Sequence, residues 1–194
     1  MKLAKATLKS ISPYSQSRPL QSEKNKGEGD RDFERRIWRE RCHSNKAGDV
    51  FIPPMAFKNC LSEAAKYLSI KIPGEGKATY TKHFEAGLLV VDPLMLPLKR
   101  DDIDSEWLFV PSDGRRGGPK RVHRCFPVIH EWRGEIEIHV LDEKVLQTHA
   151  SKDSSVLEYV LREAGSMIGV GRFRPRNNGF YGRFIVEKFE LTGE

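Results

Sequence analysis

The chain has 194 residues, 38% of them hydrophobic and 31% charged, enough for one globular domain with a genuine core or a domain plus an extension. Lys and Arg outnumber Asp and Glu 33 to 27, giving a net charge of +6, which permits a polyanionic partner without demanding one. Three scattered cysteines exclude a disulfide framework, and no stretch approaches the ~20 apolar residues of a membrane-spanning helix.

With no apolar leader in "MKLAKATLKSIS", the expected home is the cytoplasm, with no membrane partner. Patchy alternation in "KLAKATLKSIS" predicts a first strand. The following "PYSQSRPLQSEKNKGEGDR" is rich in Pro, Ser, Gly and charge and reads as an exposed loop or a disordered segment. In "DFERRIWRERCHSNKAG" the arginines are interleaved with acids around Ile37 and Trp38; it reads as a short basic helix or more of the same insertion, with Trp38 as a stacking residue or, preferably, a core anchor. "IPPMAFKNCLSEAAKYL" predicts a helix entered through Pro53 and Pro54. Its apolar stripe is Phe57, Leu61, Ala64, Ala65 and Leu68, and Lys58 and Lys66 lie off that stripe.

"KIPGEGKATYTKHF" reads as a turn and an extended segment, "AGLLVVDPLMLPL" as a buried strand, and "EWLFVP" as a short strand. "SDGRRGGPKR" is a Gly-rich basic loop. "VHRCFPVIHEWRGEIEIHVLD" reads as a hairpin turning at Arg133-Gly134. "DSSVLEYVLREAG" predicts a second helix, with Ser155 and Glu158 as a capping box and Gly165 as its stop. "YGRFIVEKFEL" closes the chain as a strand.

The order strand, helix, strands, helix, strand matches an α+β, ferredoxin-like (RRM-like) β-α-β-β-α-β core in a single domain, residues 1–194, with insertions at about 12–50 and 74–124.

Chemistry concentrates in "MIGVGRFRPRNNGFYGRF", residues 167–184, where glycines, arginines and aromatics crowd together. Glycines let a polyanion approach the backbone, arginine forks pair with phosphate oxygens, and aromatic faces stack on unpaired bases. Such a loop can hold a single-stranded nucleic acid. It offers no proton-transfer group with which to cut one. The competing reading makes the phenylalanines core anchors and the arginines a solvated rim.

The loop resembles the C-terminal glycine-rich loop of the RAMP superfamily of CRISPR systems, in content and in its place between the second helix and the last strand. "FIPPMAFKNCLSEAA" is similar to the Ile-Pro-x-x-x-x-Lys opening of the first helix in the RNA-binding backbone subunits of CRISPR effector complexes. There Gly-Ser-Ser usually follows Ile-Pro, whereas here Pro54, Met55 and Ala56 stand in its place. The resemblance implies a subunit that binds single-stranded (guide) RNA without catalysis and assembles with copies of itself or with other effector subunits. It implies that Lys58 touches the RNA backbone, and that Gly169, Gly171, Arg172, Arg174, Gly179 and Gly182 form the loop against it; Lys66, Arg176, Tyr181 and Arg183 are further RNA-binding candidates. A second basic cluster, Arg115, Arg116, Lys120, Arg121 and Arg124, reads as a phosphate-contacting arm.

Two alternatives stand beside this. One is an endoribonuclease processing guide RNA or cutting target RNA, with Asp32 or His83 as catalytic candidates. The other is a mobile-element (phage) protein that binds single-stranded nucleic acid or antagonises CRISPR machinery. No metal site is expected: "HEWRG" lacks the second His of a zincin helix, and adjacent Cys42 and His43 cannot share one zinc. No cofactor is expected either. "PGEGKA" lacks phosphate-loop spacing, and "GVGRFR" lacks the third glycine of a dinucleotide fingerprint.

Overall fold

The computed structural model describes residues 1–112 and 120–192. In chain order the elements are β1 (Lys2–Ser10), β2 (Tyr14–Ser15), α1 (Asp30–Ile37), β3 (Asp49–Ile52), α2 (Pro54–Leu68), α3 (Thr81–Ala86), β4 (Leu88–Val90), β5 (Leu94–Lys99), β6 (Asp104–Pro111), β7 (Arg121–Ile129), β8 (Arg133–Val140), α4 (Val156–Glu163) and β9 (Phe184–Thr192). The protein is of the α+β class.

The main sheet has the order β4-β8-β1-β9, and every neighbouring pair is antiparallel. Period-two alternation divides its faces. Ala4, Ala6 and Leu8 of β1 and Ile136, Ile138 and Val140 of β8 are buried, joining Phe57, Leu61 and Ala64 of α2 and Leu157, Val160 and Leu161 of α4 in one core. The other face carries Lys5, Glu135 and Glu137, with Lys5 Nζ 2.6 Å from Glu137. At its edge Arg133 reaches Glu187 at 2.6 Å. Opposite charges lace this face.

A second sheet, β2-β7-β6, and a ribbon, β3-β5, extend the core. The expected hairpin at Arg133-Gly134 is not formed. β7 pairs with β6 from Asp104 against Val128 to Pro111 against Arg121, whereas β8 joins the main sheet. The chain changes sheet at Trp132, whose ring is buried against Phe57 and Phe184. Gly134 is inside β8, because a Cβ there would press into Leu94 at 2.6 Å.

The segment expected to be extended after the "PGEG" turn is instead α3, pinned by buried Tyr80 and Phe84 four residues apart. The expected insertion at 74–124 therefore contains α3 and β4, an edge strand of the main sheet, and the added structure begins only after Val90. The 12–50 segment holds β2, α1 and a 3-10 turn over Trp38–Arg41, with Trp38 buried.

α2 starts at Pro54 behind Pro53, as the prolines predict. Ser155 Oγ accepts the Glu158 N–H at 3.1 Å, completing the expected N-terminal cap of α4. That helix does not stop at Gly165; it widens into a π turn over Ala164–Ile168 and ends at Gly169, φ 71°. Gly165 is required for packing, since a Cβ would overlap the Phe184 carbonyl.

Candidate nucleic-acid interface

The glycine-arginine loop is zipped onto the segment after β1. Arg172 N–H donates to the Ser15 carbonyl at 3.0 Å, Gly182 N–H to Pro13 at 2.7 Å, and Ile11 N–H to Arg183 at 3.0 Å. Ser15 Oγ in turn donates to the Pro127 carbonyl at 2.9 Å. Three segments distant in sequence, 11–18, 121–129 and 169–183, thus share one seam.

The glycines serve this packing. A Cβ on Gly179 would overlap the Phe173 carbonyl, and one on Gly182, φ 78°, would overlap Val170. The N–H groups of Gly169, Gly179 and Gly182 donate to Ala164, Arg174 and Pro13. Close approach of the chain to itself requires these glycines, and their amides are already engaged.

The arginines divide. Arg174 Nη2 is 2.8 Å from Glu63 on α2. Arg183 Nε donates to the Ser166 carbonyl at 3.1 Å. Arg176 is exposed, with no ion pair among the described residues. Arg172 is held differently: its Cζ lies 3.0 Å from the Phe126 ring centroid and 4.0 Å from that of Phe173. Its Nη1 is buried without a hydrogen-bond partner. Burial first, then the like charge of Arg41, lower its pKa from the ordinary guanidinium value. Phe173 takes φ 48°, a conformation that costs a bulky residue about 1–3 kcal/mol, to lie over that guanidinium.

Arg172 opens onto a cleft of about 400 Å³ that is also lined by Arg18, Arg41, Arg124, Phe126 and Phe173, and among the described residues no Asp or Glu is in the lining. Arg41 lies 5.0 Å from the Phe126 ring centroid. Behind it the buried carboxylate of Glu34 accepts Arg41 Nη2 at 3.1 Å, Arg124 Nη1 at 3.3 Å and the Cys125 N–H at 3.2 Å. Arg41 Nη1 also donates to the Cys125 carbonyl at 3.3 Å. β2 pairs with β7 only at Ile129 and Val128. Where it stops, the Glu34–Arg41 pair satisfies both the N–H and the C=O of Cys125, as a neighbouring peptide would.

The other expected site residues lie elsewhere. Lys58 has all three ammonium donors engaged at 2.9 Å, on Ser62 Oγ and on the Phe84 and Glu85 carbonyls near the end of α3; it is not free to face a partner, as its place off the apolar stripe implied. Burial lowers its pKa from the usual lysine value. Lys66, Lys120 and Arg121 are exposed. Arg115 and Arg116 lie outside the described residues. Tyr181 donates its hydroxyl to Glu106, and Phe180 is 60% exposed.

Asp32 is exposed in the first turn of α1, beside Arg35 at 3.5 Å. His83 has an orienting partner that sequence did not reveal, Asp142, 2.6 Å from its Nδ1. Sequence reasoning missed Arg18 and Arg41 as cleft residues, because only pairing across 84 positions brings Arg41 to Cys125.

Among the described residues no three His, Cys, Asp or Glu side chains group as a metal site, and no helix is long and apolar enough to cross a membrane.

No family model and no curated protein matches the chain. Among solved structures, 98% of it aligns with 60% of a chain in the cryo-EM structure of the Type III-B Cmr-beta bound to cognate target RNA, at 10% identity and a TM-score of 0.47. The chain thus spans less than two thirds of the chain it matches, and a likeness this loose defines neither topology nor function for it.

Proposed function

We propose that the chain is a non-catalytic, single-stranded RNA-binding subunit of a CRISPR-type ribonucleoprotein, built on a ferredoxin-like core and assembling with copies of itself or with other effector subunits along the RNA. The ferredoxin-like reading is supported by the strand order β4-β8-β1-β9, with α2 between β1 and β4 and α4 between β8 and β9. The RAMP reading is supported by the two motifs, at the start of α2 and between α4 and β9.

RNA binding rests on one arrangement. Arg18, Arg41, Arg124 and Arg172 converge on a cleft that has two aromatic walls and, among the described residues, no carboxylate in its lining. Guanidinium forks suit phosphate oxygens, and phosphate contacts give affinity without base identity. The open face of the main sheet pairs Lys5 with Glu137 and Arg133 with Glu187, so the strand is assigned to the cleft, where the arginines outnumber the acids, and not to that face.

Fluorescence anisotropy with a labelled oligouridylate tests the reading. Micromolar or tighter binding should weaken with salt, and Arg172→Ala should weaken it at least about tenfold, the scale of one charge-assisted contact. Salt-insensitive binding, or full affinity in Arg172→Ala, would refute it.

A second reading, endoribonuclease, draws on the 2.6 Å His83–Asp142 pair, which gives a general base an orienting carboxylate. Cleavage of labelled RNA, assayed with Mg²⁺ and with EDTA and abolished by His83→Ala, would replace the first reading with this one.

A further inference from the structure

A second cleft, of about 690 Å³, lies between α1 and the β6–β7 hairpin, and Arg124 lines both clefts. The two differ in kind. Among the described residues the arginine cleft has four guanidinium groups and no acid in its lining. In the second, Lys24, Arg31 and Arg124 face Asp30 and Glu34, a sum near +1 with His123 neutral.

Both acids are engaged, Asp30 by Lys24 at 2.7 Å and Glu34 by Arg41 and Arg124. The remaining lining is flat and apolar: Phe33, Val122 and the half-buried Trp107, with the guanidinium of Arg31 5.6 Å from the Trp107 centroid. The volume falls in the range that takes one small organic ring system.

We infer that this cleft is a nucleobase-stacking subsite: a strand whose phosphate lies on Arg124 and Arg172 turns the adjoining base onto Trp107. The inference rests on the proposed RNA reading and adds to it a residue that contacts the base. Trp107 supplies a π face that accepts any base, so the subsite contributes affinity with little sequence preference. Arg31 now covers the ring and moves aside or stacks on the far side of the base.

The division of labour has a structural cause. Trp107 stands opposite Cys125 across the β6–β7 ladder, and Cys125 is the residue whose backbone Glu34 and Arg41 bond. The stacking face and the Glu34 carboxylate that holds Arg41 and Arg124 are therefore fixed to the same residue pair.

The test compares a fluorescein-labelled uridine octamer with an abasic ribose-phosphate octamer of equal charge, by anisotropy, on wild-type protein and on Trp107→Ala, Trp107→Phe and Arg172→Ala. Wild-type protein should prefer the uridine octamer about tenfold, within the range of one stacked base. Trp107→Ala should erase that preference while leaving the abasic affinity unchanged, and Trp107→Phe should keep most of it. Tryptophan emission should fall on binding the uridine octamer, since Trp38 and Trp132 are buried, and the fall should vanish in Trp107→Phe.

Equal wild-type affinity for the two octamers, or a preference that survives Trp107→Ala, overturns the stacking subsite while the arginine cleft stands. If Trp107→Ala does not fold, the emission change and Trp107→Phe decide. If neither octamer binds wild-type protein, both readings fall. Arg172→Ala should weaken both octamers alike; a loss confined to the uridine octamer would also overturn the assignment of phosphate to one cleft and base to the other.

Discussion

Replacing Glu34 with alanine should be among the most destabilising single substitutions in the chain. The Glu34 side chain is 6% exposed and its partner Arg41 4%. Alanine removes the acceptor of Arg41 Nη1 at 3.0 Å and Nη2 at 3.1 Å, of Arg124 at 3.3 Å and of the Cys125 N–H at 3.2 Å. Arg41 would keep only the Cys125 carbonyl and the Phe126 ring.

Stranding a buried charge costs about 3–5 kcal/mol. The orphaned N–H adds about 1 kcal/mol at the low end of its desolvation penalty. A loss of about 4–6 kcal/mol is a large part of the ~5–15 kcal/mol that holds a domain folded. Urea unfolding followed by tryptophan emission reads it directly. Glu34→Ala/Arg41→Met should recover at least about 2 kcal/mol relative to the sum of the single substitutions, because the stranded charge is then gone. A single-mutant loss below about 1 kcal/mol, or strict additivity in the cycle, would refute this account of the cluster.

Lys58→Met should cost about 1–3 kcal/mol, since it leaves the carbonyls near the α3 terminus unsatisfied; a thermal melt checks this, and unchanged RNA affinity would mark Lys58 as structural. Arg176→Ala should lower the slope of log affinity against log salt by about 0.7, one phosphate on a single strand, whereas Arg174→Ala, already paired with Glu63, should change it less; titrations at several salt concentrations separate the two. Gly182→Ala should cost at least about 2 kcal/mol, because a left-handed φ of 78° and a Cβ overlapping Val170 act together; denaturant unfolding measures it. Cys42 and Cys60, whose pKa values burial pushes up to about 12, should resist an exposed-thiol reagent at pH 8 until denaturant is added.

Local chemistry was legible where the signal is local. The prolines before α2, its apolar stripe and the Ser155 cap needed only near neighbours, and all three are present. α3 was hidden because "TYTKHF" is short and polar, and its helix depends on Tyr80 and Phe84 finding a core formed by distant strands. The hairpin expected at Arg133-Gly134 failed for a related reason. A glycine after a strand signals a turn in isolation, but here it makes room for Leu94.

In the candidate site, the loop's residue types were visible and their fates were not. Arg172 and Arg174 stand two residues apart, yet one is sandwiched between rings and the other spent on a carboxylate from α2. Arg41 gave no signal, since an arginine among acids reads as a solvated face until a strand 84 positions away supplies its partner, and Arg18 gave none because its place depends on its N–H bonding the Arg41 carbonyl.

The side-chain pair that takes the place of a strand beside Cys125 has a protective effect as well. An open run of amides along β7 would be a template on which another molecule could add a strand and seed aggregates. With a carboxylate and a guanidinium bonded there instead, an incoming strand finds no free partner at Cys125, and it would have to break a buried ion pair to gain one. The same two residues that place arginines for a ligand therefore guard this border against uninvited copies of the chain.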